Sequence, residues 1–176
     1  MKFADLVKSD VCRYLDKLGV EPSFSVLPVI RALIFCPGLQ LAILIRLQAV
    51  IGSFPLVGRF LRRALSYFIS IYFSCDIDPN ATFGPGIYFP HANGIVIGGE
   101  WDVGANVTIL HRVTLGRHDI PNGRSVIGDN VFIGSGACVI GSLEIGEGAK
   151  IGSNAVVIKN IPPFATAVGV PARILN

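Results

Sequence analysis

From Ile77 to Val157, apolar side chains return every six residues. The series runs Ile77, Phe83, Phe89, then Ile97, Val103, Ile109 and Leu115, and resumes after a break at Ile127, Ile133, Val139, Ile145, Ile151 and Val157. A glycine follows many of these positions, as at Gly84, Gly104, Gly128 and Gly134, and a small residue often sits four on, as at Ala81, Ala137, Ala149 and Ala155. A period of six belongs to neither a helix face nor a simple strand. It predicts a solenoid: one hexad cannot bury its apolar residue alone, whereas stacked coils bury a continuous core. The fold class is therefore mainly β, a parallel β-helix over residues 75–176. The step lengthens to twelve between Leu115 and Ile127, and the polar, turn-rich residues 117–124 in that gap are predicted to form a protruding loop.

Residues 1–74 follow a different pattern and form a predicted α-helical region. Leu6, Val7, Val11, Tyr14, Leu15 and Leu18 recur at helical spacing, with Gly19 as a stop. Pro28, Pro37 and Pro55 are expected to divide the apolar stretch that follows into short helices. These segments are too apolar to stand free. The longest uncharged stretch, 32–45, falls short of the ~20 residues a spanning helix needs and contains Pro37 and Gly38, so no transmembrane helix is expected.

Charge is unevenly spread. Residues 1–74 hold nine of the fifteen Lys/Arg and four of the twelve Asp/Glu, and residues 22–74 hold Arg31, Arg46, Arg59, Arg62 and Arg63 with no acid. A basic, apolar, acid-free stretch suits an anionic membrane surface and equally a helical domain whose arginines face water. No dense basic run interleaved with aromatics points to nucleic acid. Cys12, Cys36, Cys75 and Cys138 are widely spaced, which fits neither a zinc ribbon nor a disulfide framework. With no visible signal peptide, the expected setting is the cytoplasm, with peripheral attachment at the inner face of the membrane left open.

The segments Asp76-Ile77-Asp78-Pro79-Asn80-Ala81, His91-Ala92-Asn93-Gly94-Ile95-Val96-Ile97-Gly98, Val113-Thr114-Leu115-Gly116 and Val168-Gly169-Val170-Pro171-Ala172-Arg173 resemble the serine acetyltransferases and related hexapeptide-repeat acyltransferases. The resemblance implies a left-handed β-helix, a homotrimer or dimer of trimers, and acetyl-CoA bound between subunits as acyl donor, while His91, His111 and His118, twenty and seven residues apart, do not match the three-histidine zinc spacing of lyases with this fold, so no metal is expected. It makes His91 the catalytic base and Asp76 its orienting carboxylate. Three features depart from the family pattern. Pro90 stands where the family has an aspartate for the ammonium of serine, Arg124 aligns near a second active-site histidine, and Gly116-Arg117-His118 replaces a Gly-Thr-Gly-Lys turn. These departures move the expected acceptor toward a sugar hydroxyl in exopolysaccharide or capsule synthesis, with serine O-acetylation feeding cysteine synthesis as the alternative.

Acetyl transfer needs a base for the alcohol proton and donors for the oxyanion, and histidine suits the base role near neutral pH. Three hexads make a coil, so Phe89 and Ile109, one coil plus a two-residue insertion apart, should occupy the same face. His91 and His111 are then stacked third residues of their hexads, with Asp129 expected next in the column and His111 assigned as a donor. Ser135, Gly136, Ser153 and Ala155 are expected to let the cofactor arm approach the wall, Lys159 and Arg173 to meet its phosphates, and Arg112 and Arg124 to contact the acceptor. His118 and Arg124 sit in the loop, where a solvated role is equally open. Asp78 is expected to cap a turn.

Overall fold

A computed structural model of the chain describes residues 2–20, 26–52, 54, 57–117 and 123–175. Four helices come first: α1 (Phe3–Lys17), α2 (Val26–Phe35), α3 (Pro37–Ile51) and α4 (Val57–Phe73). Gly19 ends α1 as expected. At φ +69° it lets its own N–H reach Asp16 O and the Val20 N–H reach Leu15 O, the paired bonds of a left-handed cap. Pro37 does separate two helices, opening α3 where a missing N–H costs nothing. Pro28 divides nothing. It lies in the first turn of α2, where the same tolerance applies. Pro55 lies outside the described residues.

The β-helix has three sheets. The first stacks Asp76–Ile77, Val96–Ile97, Thr114–Gly116, Cys138–Ile140 and Val156–Val157. The second stacks Thr82–Phe83, Trp101–Val103, Ser125–Ile127 and Glu144–Ile145. The third stacks Thr108–Ile109, Phe132–Ile133, Lys150–Ile151 and Thr166–Val168, and is closed by the antiparallel strand Arg173–Leu175. The register places like on like: Ile77 against Ile97, then Leu115, Val139 and Val157. Every apolar residue of the six-residue series is buried except Phe83, which is half-buried in the first coil. Glycines follow these residues because the next coil runs too close for a side chain. A Cβ on Gly134 would lie 2.6 Å from the backbone nitrogen of Ser153.

The helical region is fastened to the first coil by buried polar bonds. Arg46 of α3 donates to Asp10 of α1 at 3.0 Å and to the carbonyls of Phe83 and Gly84, while Asp10 also accepts the Ile87 N–H at 3.1 Å. Both side chains are buried, and burial pushes the Asp10 carboxyl above its ordinary value against the pull of Arg46. Arg46 therefore leaves the set of arginines that a lipid or solvent-facing surface was expected to use. It joins helices to β-helix instead.

Candidate active site

Pairing on the third sheet sets the site. Tyr88 bridges to Thr108, Thr108 pairs with Phe132, and Phe132 with Lys150. Three residues beyond each, where the chain turns toward the first sheet, lie His91, His111, Ser135 and Ser153 in one column along a corner of the prism. The imidazoles of His91 and His111 meet edge to face, with ring centres 5.6 Å apart. Ser135 Oγ lies 3.3 Å from Ser153 Oγ, and the backbone is tied along the same line by Gly136 N–H to His111 O at 2.9 Å and Asn154 N–H to Ser135 O at 2.8 Å. From His91 to Ser153 is three strand spacings, about 14 Å.

Asp129 is not in this column. Thr108 pairs with Phe132, six residues more than a coil of eighteen, so the residue above His111 is Ser135, and the loop expected at 117–124 lies for the most part outside the described residues. Asp129 lies at another corner, where its carboxylate accepts the Ala105 N–H at 2.7 Å. The corrected register unites the two histidines with two of the residues expected to meet the cofactor.

His91 is exposed and free to meet a substrate, while His111 is half-buried. The Nδ1 of His111 is buried with no hydrogen-bond partner among the described residues, an unspent polar atom beside His91. Asp76 lies on the first strand of the first sheet, exposed, with its N–H bonded to Ile95 O. Among the described residues no hydrogen bond joins its carboxylate to His91. Such catalytic contacts commonly tighten only with substrate bound.

Arg112 follows His111 at φ +57°, in the left-handed region, in line with Gly136 at +69° and Asn154 at +56°. Glycine and asparagine take this conformation readily, whereas another side chain strains there by roughly 1–2 kcal/mol. Gly94 makes room for the Arg112 side chain: a Cβ there would lie 3.2 Å from Arg112 Cγ.

Two expected site residues do not join the column within one subunit. Ala155 is fully buried in the prism core rather than on the wall. It is the inward small residue of its hexad. Arg124 is held on the second sheet, donating to Asp102 at 2.6 Å and to the carbonyls of Asn80 and Trp101, so within one subunit it is not brought to the histidines. It holds the Asp102 carboxyl below its ordinary value. Lys159 and Arg173 lie exposed near the C-terminal end of the prism. Asp78 does cap its turn, accepting the Asn80 N–H at 2.8 Å. His118 lies outside the described residues, and among those described no three His, Cys, Asp or Glu side chains gather as metal ligands.

Sequence patterning missed two supporting residues. The buried phenol of Tyr14 donates to Phe89 O at 3.1 Å and accepts the Phe89 N–H at 2.8 Å, pinning the backbone two residues before His91. Arg13 donates to Thr108 Oγ1 at 2.9 Å, three residues before His111. Helical spacing marks Tyr14 as core, and a buried hydroxyl demands a partner, but nothing in the sequence says which.

Residues 124–159 match the family model described as bacterial transferase hexapeptide (six repeats). The chain is 45% identical over 121 residues to a serine acetyltransferase of Mycobacterium tuberculosis, covering 68% of this chain and 53% of that one. It spans about half the length of the curated relatives it matches. A soybean serine acetyltransferase complexed with serine superposes with a TM-score of 0.84 at 35% identity, covering 98% of this chain and 69% of that one. A serine acetyltransferase in complex with CoA superposes equally well, at 34% identity and the same coverage. These likenesses overturn the expected sugar acceptor and the closer kinship to exopolysaccharide enzymes. Pro90 and the altered turn after Gly116 are local departures within a chain that matches serine acetyltransferases along nearly its whole length. The chain belongs to the serine acetyltransferase family of hexapeptide-repeat proteins.

Proposed function

We propose that this protein transfers the acetyl group of acetyl-CoA to the hydroxyl of serine. The observation that carries the proposal is the corner column, which sets His91 beside His111 and continues along the small residues Ser135 and Ser153. In this reading His91 takes the hydroxyl proton as the serine oxygen attacks the thioester carbonyl, with Asp76 closing on the imidazole to orient it. The carbonyl oxygen becomes an oxyanion, and His111, whose Nδ1 has no partner among the described residues, is assigned to stabilise it. Collapse of the intermediate breaks the carbon–sulfur bond. The thiolate of CoA leaves with the proton returned by His91, and O-acetylserine is released.

Acetyl-CoA is proposed to run along the column from His111, past Ser135, Gly136 and Ser153, with Lys159 and Arg173 available to its phosphates as point charge and fork. The active species in this reading is a homotrimer with the donor between neighbouring prisms. Pro90 offers no charge to the ammonium of serine, so the expected Michaelis constant for serine is high and falls in Pro90→Asp. The experiment is CoA release from acetyl-CoA with L-serine, L-alanine or no acceptor. Release that depends on serine supports the proposal, and equal release in all three overturns it.

A further inference from the structure

Helix α4 has two apolar faces and spends only one of them on the fold. Ile69 and Phe73 are buried against the core. On the opposite side Val57, Phe60, Leu61, Tyr67, Phe68 and Ile71 share one face of the helix, and each is between 48% and 76% exposed. At 1.5 Å per residue this stripe runs along a helix about 25 Å long. Scattered exposed apolar residues are ordinary, but a continuous exposed stripe of this length marks an interaction surface. The surface extends past α4. Phe68 and Tyr72 share a groove with Gln40 of α3, and Gln40 Nε2 bonds to the carbonyls of Leu33 and Ile34 at 2.9 Å, which brings up the exposed end of α2.

The border of the stripe is basic. Arg59 and Arg63 lie one turn apart along it, both exposed and without an ion-pair partner among the described residues. Of the other arginines in this acid-free stretch, Arg46 is buried with Asp10 and Arg62 donates to Asn80 Oδ1 at 2.7 Å, while Arg31 is exposed on α2. We infer that the outer face of α4, bordered by Arg59 and Arg63, docks on an anionic lipid surface with its axis in the plane of the interface. Aromatic and aliphatic side chains facing one way with arginines at their edge fit the boundary between headgroups and acyl chains. A second copy of the same face brings more arginine and, in residues 22–74, no carboxylate to meet it. Among the described residues no single helix is long and apolar enough to cross a bilayer, while α2 and α3 together, bent by 88°, reach such a length and composition. This surface is separate from the histidine column, and the inference does not depend on the proposed acetyl transfer.

The test is flotation of the full chain with vesicles of phosphatidylcholine alone or of equal parts phosphatidylcholine and phosphatidylglycerol. We expect co-flotation with the anionic vesicles, lost in high salt. The double variant Arg59→Gln/Arg63→Gln should lower the partition coefficient roughly 25-fold, the product of about fivefold per arginine. Phe60→Ser/Ile71→Ser should abolish flotation with an unchanged thermal midpoint, which shows that the exposed stripe and not the fold was lost. Failure of the parent protein to float with anionic vesicles at low salt overturns the inference. So does a fall in molar mass of the stripe variant by light scattering with vesicle binding intact, since a second copy then covers the face.

Discussion

The rings of His91 and His111 stand edge to face, 5.6 Å between centres, because the eight-residue step from Phe89 to Ile97 still returns the chain to the same corner. Everything proposed for the chemistry depends on that pairing. His91→Ala should lower kcat about 10²–10⁴-fold, the usual worth of a positioned base, while leaving the thermal midpoint unchanged because the side chain is exposed. His111→Ala should lower kcat by about 10²–10³ with little change in the Michaelis constants, as removal of an oxyanion donor does. Steady-state kinetics beside a melting curve check both.

The two walls of the prism should respond oppositely. Ser153→Trp adds bulk to the outer column and should raise the Michaelis constant for acetyl-CoA without loss of stability. Ala155→Leu adds bulk to the core and should destabilise the fold by about 1–3 kcal/mol. Urea unfolding separates the two cases.

Tyr14 is a positioning residue in this account. Tyr14→Phe removes the donor to Phe89 O and the acceptor for the Phe89 N–H, and leaves both groups unpaired in a buried place. A stability loss of about 1–3 kcal/mol is expected. Because the freed backbone leads into His91, kcat should fall well below the parent value at temperatures where the variant is fully folded, with the Michaelis constant for acetyl-CoA unchanged.

Arg112→Gly relieves a left-handed backbone and should stabilise the protein by roughly 1 kcal/mol, read as a raised melting temperature. If the arginine contacts the acceptor, the same variant raises the Michaelis constant for serine.

The Asp10 and Arg46 pair joins parts of the chain 36 residues apart. Asp10→Asn or Arg46→Met alone should cost about 3–5 kcal/mol by leaving a buried charge unanswered, and the double variant should recover much of that loss. A double-mutant cycle in urea measures the coupling.

The sequence carries the β-helix in full view, because the six-residue period is local and each hexad shows which residue turns inward. It carries His91 through its motif and His111 through the coil arithmetic. The arithmetic fails at Asp129, since the coil from Thr108 to Phe132 is six residues longer than eighteen and counting by eighteen ignores that. Ala155 misleads because a small residue satisfies a crowded core and a close ligand alike. Arg46 misleads more deeply. Composition places it in an acid-free run, and its partner Asp10 lies far away on another helix. Tyr14 and Arg13 share that limit, since their bonds reach 75 and 95 residues along the chain.

The central claim is acetyl transfer to serine by the histidine column, and the direct measurement is CoA released from acetyl-CoA by purified protein with and without L-serine, with O-acetylserine quantified in the same sample. The account predicts serine-dependent release, one O-acetylserine per CoA, and loss of both in His91→Ala. Release that is no faster with serine than without it, or that persists in His91→Ala, contradicts the account.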